Sequence, residues 1–216
     1  MTATAQLPLV RPSHFDGQIL TPGTRGFDSA RSVWNAMIDH RPKLIVRCAS
    51  VEDVVTAVRA ARECDLEIGV RCGGHNIAGL AVPDGGLMID LTTLGRVAVD
   101  PVTRRARVQG GAMLGALDHA TQPFGLATTA GNVSHTGVGG LTLGGGMGWL
   151  ARQHGLACDN VVSCTVVTAD GDVVRASADE RPDRAVGQPG QVVALPVAPA
   201  RVALDAVVAG REFGVG

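Results

Sequence analysis

The sequence predicts a domain that mixes helices with a majority of short strands. Three observations lead there: a strand, helix, strand run over residues 44–71, a set of short strands between 87 and 109, and a hairpin around an Asp-Gly turn at 170–171. In chain order, Leu44 to Cys48 is a short apolar run. Ser50 with Asp53 three residues on mimics a capping box, and Val51, Val54, Val55 and Val58 then recur at helical spacing. Leu66 to Arg71 alternates as a strand and delivers the chain into Cys72-Gly73-Gly74. Leu87 to Leu91, Val97 to Asp100 and Arg105 to Gln109 read as short strands separated by turns, and Met113 to Thr121 as a helix. Val161 to Thr168 and Val173 to Ala176 flank Asp170-Gly171-Asp172, the dipeptide that suits a tight hairpin turn. No internal repeat is visible, which excludes solenoids and propellers.

Composition narrows the function classes. With 216 residues and 45% hydrophobic content the chain can bury a real core. A net charge of −1 and a pI near 6.6 argue against a nucleic-acid partner, since phosphate binding wants a basic face and the arginines here are scattered. The five cysteines, at 48, 64, 72, 158 and 164, form an odd set without a Cys-x-x-Cys pair, so neither a disulfide framework nor a zinc site is signalled and no metal is expected. Met1 to Pro12 holds no apolar signal-peptide core, and no segment approaches the ~18 apolar residues of a membrane span. A cytoplasmic location is the default expectation.

Two glycine-rich stretches carry the chemistry. The first, Val70-Arg71-Cys72-Gly73-Gly74-His75-Asn76-Ile77-Ala78-Gly79, sets one histidine in a turn directly after a strand. Glycines there allow positive φ and a concavity of backbone amides that suits a phosphate or diphosphate. The second, Gly131 to Leu150, holds eight glycines in twenty residues, a density that is costly to order and fits close approach of backbone to a flat ring or a diphosphate.

Competing chemistries fit less well. Gly146-x-Gly148-x-x-Ala151 formally matches a dinucleotide fingerprint with Asp170 at the ribose offset, but the Gly139 to Gly145 run before it cannot make a buried strand. Ser134 and His135 are sequence neighbours outside a Gly-x-Ser-x-Gly elbow, which argues against a serine hydrolase. A P-loop lacks its lysine. Asp84, Asp90 and Asp100 sit at turns or strand ends, where aspartate is ordinary.

Together the two stretches resemble the flavin-contacting loops of the berberine bridge enzyme-like flavoproteins, within the vanillyl-alcohol oxidase superfamily, over about Gly26 to Asp183. The second loop matches nearly residue for residue and continues through Arg152, Gly155, Leu156, Asp159 and Asn160. The resemblance implies an α+β, PCMH-type FAD-binding domain with two small sheets and flanking helices. It implies FAD, bonded covalently at its 8α carbon through His75 alone, because the cysteine that makes a second link in doubly linked relatives is replaced near Val133. Implied cofactor contacts are Arg71, Cys72, Gly73, Gly74, His75, Asn76 and Gly79 from the first loop. The second contributes Gly131, Val133, Thr136, Gly137, Gly139, Gly140, Leu141, Gly145, Gly148 and Leu150, with Asn160 and Val161 toward the adenine half. Cys72 also reads as a packing thiol.

The implied activity is hydride transfer from an alcohol or amine carbon of a small molecule to the flavin, with dioxygen as reoxidant. Residues 1–25 are expected as an N-terminal arm, 26–183 as the flavin domain, and 184–216 as an atypical tail, frame-shifted or truncated, with the relatives' substrate domain absent. The catalytic base is not assigned: the chain has no tyrosine, and His135 and His154 are the histidines weighed for it. A catalytically incomplete flavin-binding fragment is the alternative. Substrate and oligomeric state are not legible.

Overall fold

The computed structural model describes residues 15–180, 201–209 and 214–215. Among them the elements run β1 (Gln18–Leu20), α1 (Phe27–Arg31), β2 (Leu44–Arg47), α2 (Val51–Glu63), β3 (Ile68–Arg71), β4 (Leu87–Asp90), β5 (Val97–Asp100) and β6 (Arg105–Gln109). They continue with α3 (Leu114–Thr121), α4 (Val138–Leu143), α5 (Ala151–His154), β7 (Val161–Thr168), β8 (Val173–Ser177), β9 (Arg201–Ala209) and β10 (Gly214–Val215). Two five-stranded sheets result, ordered β1-β2-β4-β3-β10 and β5-β6-β9-β7-β8. This is the α+β arrangement expected, with helices flanking two small sheets.

The first sheet is parallel apart from β1, which runs antiparallel along β2. Its strands are apolar on both faces because both are covered: β2 and β4 are buried almost throughout. One face packs on α2 through Val54, Ala57, Val58 and Ala61, and the other on Phe27 and Ala30 of α1 with Ala81 and Val82. The second sheet has antiparallel outer pairs, β5 with β6 and β7 with β8, and β9 runs parallel between β6 and β7. Leu114 and Leu117 of α3 and Val138 of α4 pack on it.

Helix α2 joins the sheets. Ser50 caps it by accepting the Asp53 N–H at 3.1 Å. The Asp53 carboxylate reaches past the cap to accept from Ala49 N at 2.8 Å and from Asp16 N at 3.1 Å, so the expected box closes one residue early and also fastens the chain ahead of β1. At its other end Arg59 donates to the Gly171 carbonyl at 3.0 Å, and Arg62 pairs with Asp170, which clamps the β7–β8 hairpin. Asp170 is thereby a turn residue held by arginine, and the segment before Gly146 contains α4, not a strand. The dinucleotide reading fails on both counts.

Two boundaries differ from expectation. β1 lies inside the segment expected as an arm, with Leu20 buried in the core, because the outer edge of β2 is completed by it. Within the tail expected as atypical, residues 201–209 and 214–215 are strands of the two sheets, and 184–200 lies outside the described residues. No described helix is long and apolar enough to cross a membrane.

Asp90, read from sequence as an ordinary strand-end aspartate, is wholly buried. Arg47, Asp90 and Arg71 are register partners across the parallel strands β2, β4 and β3. The Asp90 carboxylate accepts from Arg47 Nε at 2.9 Å and, on its other oxygen, from Thr92 N at 3.0 Å and Thr92 Oγ1 at 2.7 Å; Arg71 Nη1 lies 3.9 Å away. Removing it leaves two guanidinium groups facing each other without an anion. Asp90→Ala should therefore lower unfolding free energy by about 3 kcal/mol, read from urea denaturation, and an unchanged midpoint would contradict this role.

Candidate flavin site

The first glycine loop begins where β3 ends. Gly74 takes φ +68°, a left-handed turn that a Cβ would strain, and its carbonyl accepts the Trp34 N–H at 3.0 Å. The second loop enters as an extended segment beside the start of α3: Leu114 N donates to Thr136 O at 2.9 Å and Val138 N to Ala112 O at 2.8 Å. The two loops then touch backbone to backbone. A Cβ on Gly137 would lie 2.2 Å from Cys72 Sγ and 2.5 Å from Gly73 N, and one on Gly73 would lie 2.3 Å from Gly137 N. Of the sequence-predicted contacts, Arg71 to Asn76 and Thr136 to Gly140 are thus brought to one place. Cys72 is the hinge of that contact: it is buried, burial pushes its thiol up to about 11, and Sγ contacts Ala112 O at 3.6 Å. It is a packing thiol, as one of its two expected roles required.

His75 projects beside the crossing. Its Nε2 is 2.7 Å from Nδ1 of His135 in the second loop, and its ring stacks on Trp34 with centroids 5.7 Å apart and planes 18° from parallel. Burial first, and the neighbouring His135 second, hold the His75 ring below the usual histidine range and so favour its neutral form. Trp34 was not legible as a site residue, because nothing local connects it to a histidine 41 positions away.

Two buried side-chain atoms among the described residues have no hydrogen-bond partner, Arg71 Nε and Thr128 Oγ1. Of the two, Arg71 adjoins the loop crossing. Arg71 Nη1 is spent on the Ala30 carbonyl at 2.8 Å, while Nε lies 3.3 Å from the point where Gly74 would carry a Cβ. A cationic N–H left open over a glycine turn suits an anion such as a diphosphate. Thr128 sits among Leu114, Leu117, Val138, Leu141 and Val161, in the packing of the second core. The donor set and the close-packed glycine turns fit FAD.

Other expected contacts are placed differently. The Asn160 side-chain nitrogen donates to Thr129 Oγ1, His154 O and Leu156 O, each at 2.9 Å, so it ties the second loop to the start of β7 and its amide is committed inside the fold. Val133 is exposed and its carbonyl accepts from Thr136 N. Gly79 packs under Ile38, and Gly148 faces the Ala130 carbonyl, so both are required by protein contacts. Gly131 packs on Leu141 and Leu114, while Gly145 carries a φ of +98° at the C-terminal end of α4, just ahead of Leu150.

Residues 42–177 match the family described as FAD binding domain. The chain is 42% identical to (R)-6-hydroxynicotine oxidase of Paenarthrobacter nicotinovorans over 175 residues, covering 81% of this chain and 38% of that protein. Its fold superposes on the crystal structure of 6-hydroxy-D-nicotine oxidase from Arthrobacter nicotinovorans with TM-score 0.78 over 81% of this chain and 38% of that one. It also superposes on the berberine bridge enzyme-like protein 1 of Physcomitrella patens, at 31% identity and TM-score 0.75, covering 78% of this chain and 37% of that one. For glucooligosaccharide oxidase from Acremonium strictum, whose FAD is described as 6-S-cysteinyl, 8α-N1-histidyl, the values are 33%, 0.74, 78% and 36%. The chain thus spans under two fifths of the length of these relatives.

Two outcomes follow. Gly137→Ala should force the loops apart and lower the melting temperature by several degrees, whereas Gly95→Ala, where the nearest atom is 3.6 Å away, should not; equal melting of the two variants would remove the crossing as a constraint. His75 should titrate below 6.5 in NMR. Its unfolded-state value is the higher of the two, so its contribution to stability is fully present above about pH 6.5 and is lost as pH falls through the folded value. A His75 titration at or above 6.5 would contradict the geometry.

Proposed function

The chain belongs to the FAD binding domain family, among the berberine bridge enzyme-like oxidases of the vanillyl-alcohol oxidase superfamily, and we propose that it is the flavin-holding part of a covalent flavoprotein oxidase. The observation that carries this is the unpartnered Arg71 Nε beside the Gly73-Gly74 turn, which leads into His75. In this reading Arg71 and the turn backbone hold the diphosphate, and the second loop, Gly137 to Gly148, lies along the rest of the cofactor. His75 is the attachment residue, and Val133 leaves the cofactor singly linked. When bound, FAD supplies a two-electron acceptor for a carbon bearing an alcohol or amine, with dioxygen as the terminal oxidant.

The remaining work falls to the protein. Trp34 and His135 keep the His75 ring in one orientation, so attachment needs no search over rotamers. Asp90 holds Arg71 from behind, which aims its free edge at the turn. The relatives' names describe oxidases of hydroxynicotine and of oligosaccharides, which supports a small organic substrate for the full enzyme.

Expression with excess FAD followed by acid denaturation tests the reading. Wild-type protein should retain yellow colour and a mass increase of one FAD in the precipitate, and His75→Ala should lose both while still binding FAD before denaturation. Colourless wild-type protein at saturating FAD would sink the proposal.

A further inference from the structure

We propose that His135 is the base that activates His75 for bonding to the flavin. The inference rests on the flavin reading above and deepens it. The two rings meet edge on, His75 Nε2 to His135 Nδ1 at 2.7 Å, with centroids 4.7 Å apart and planes tilted by 35°. Trp34 stacks on the His75 ring, with centroids 5.7 Å apart, and favours the orientation that makes this contact. Because Nε2 is committed to His135, the ring nitrogen left for the cofactor is Nδ1. The pairing joins residues 60 positions apart, one from each glycine loop, so it forms only once the Gly73–Gly137 crossing is made.

The step balances as follows. His75 donates its Nε2 proton to His135 Nδ1, and the Nδ1 lone pair of His75 forms the bond to the flavin 8α carbon. A C–H bond of the 8α methyl breaks, its proton leaves, and its electron pair passes into the ring system, so the flavin emerges reduced by two electrons. Dioxygen takes those two electrons with the two released protons and yields hydrogen peroxide. Without a proton acceptor on Nε2 the alkylated ring would carry a positive charge throughout. His135 is exposed and returns its proton to water.

The rate of covalent attachment decides the matter. Unflavinylated chain is mixed with FAD over a range of concentrations, and acid-stable flavin is followed in time beside total bound flavin. His135→Ala should lower the limiting attachment rate at least ~10-fold, as loss of a general base does, with the half-saturating FAD concentration little changed. Free imidazole should restore the rate in His135→Ala and not in His75→Ala, an effect that a purely packing role for His135 cannot produce. His135→Gln, which can accept the hydrogen bond but not the proton, should remain slow.

Attachment in His135→Ala at the wild-type rate, or failure of imidazole to raise it, would overturn the proposal. Wild-type protein that binds no flavin at all would instead overturn the reading on which it rests. The two failures are separate observations.

Discussion

Everything at the site depends on the absence of side chains where the two glycine loops cross. Gly73 leaves the end of β3 in the first sheet, and Gly137 precedes α4, which packs on the second. Any Cβ at either position would lie within 2.3 Å of a heavy atom of the other loop. Direct backbone contact lets the sheets share one surface there instead of facing each other across a layer of side chains. It also fixes the distance between His75 and His135, which sit two residues beyond and two residues before the touching glycines. The placement of the two histidines is set by backbone, and the side chains inherit it.

Electrostatics adds a second fixed point. Three parallel strands end side by side with Arg47, Asp90 and Arg71 in register. A buried carboxylate between two guanidinium groups neutralises one of the two positive charges and leaves the pair with a net charge that an anion in front of Arg71 would balance. Burying these groups is costly unless each has a partner, and Thr92 completes the carboxylate's set. The unpartnered Arg71 Nε is therefore the exception in an otherwise satisfied cluster, and that is why it points to a ligand.

Local patterns are legible where the physics is local. The Ser50 cap, the valine spacing of α2 and the Asp-Gly hairpin depend on residues within a few positions of one another, and each forms where its pattern lies. The glycine loops were legible because density of glycine is itself a signal. What escaped depends on partners far along the chain. Asp90 gains its meaning from strands 43 and 19 residues away by number, which no window around it contains. β1 is too short to announce itself and exists because β2 offers an edge. Asn160 carries the right residue type for a ligand contact, yet its side-chain nitrogen is taken up by Thr129, His154 and Leu156, a fact that only the folded arrangement contains.

Holding a cofactor and bonding to it are separable demands on this structure. The cradle is made from glycine backbone, buried apolar packing and one arginine braced by Asp90, all tied into the cores of the two sheets, so it survives substitution only where no side chain is added. The proposed bonding apparatus is three rings at the surface, Trp34, His75 and His135, none of them in a hydrophobic core cluster. Losing one of these rings removes little buried area and leaves the glycine crossing intact. On the proposed reading the fold tolerates chains that bind flavin without attaching it, and covalent attachment would persist only where something beyond stability, such as retention of the cofactor or its reactivity, maintains the three rings together.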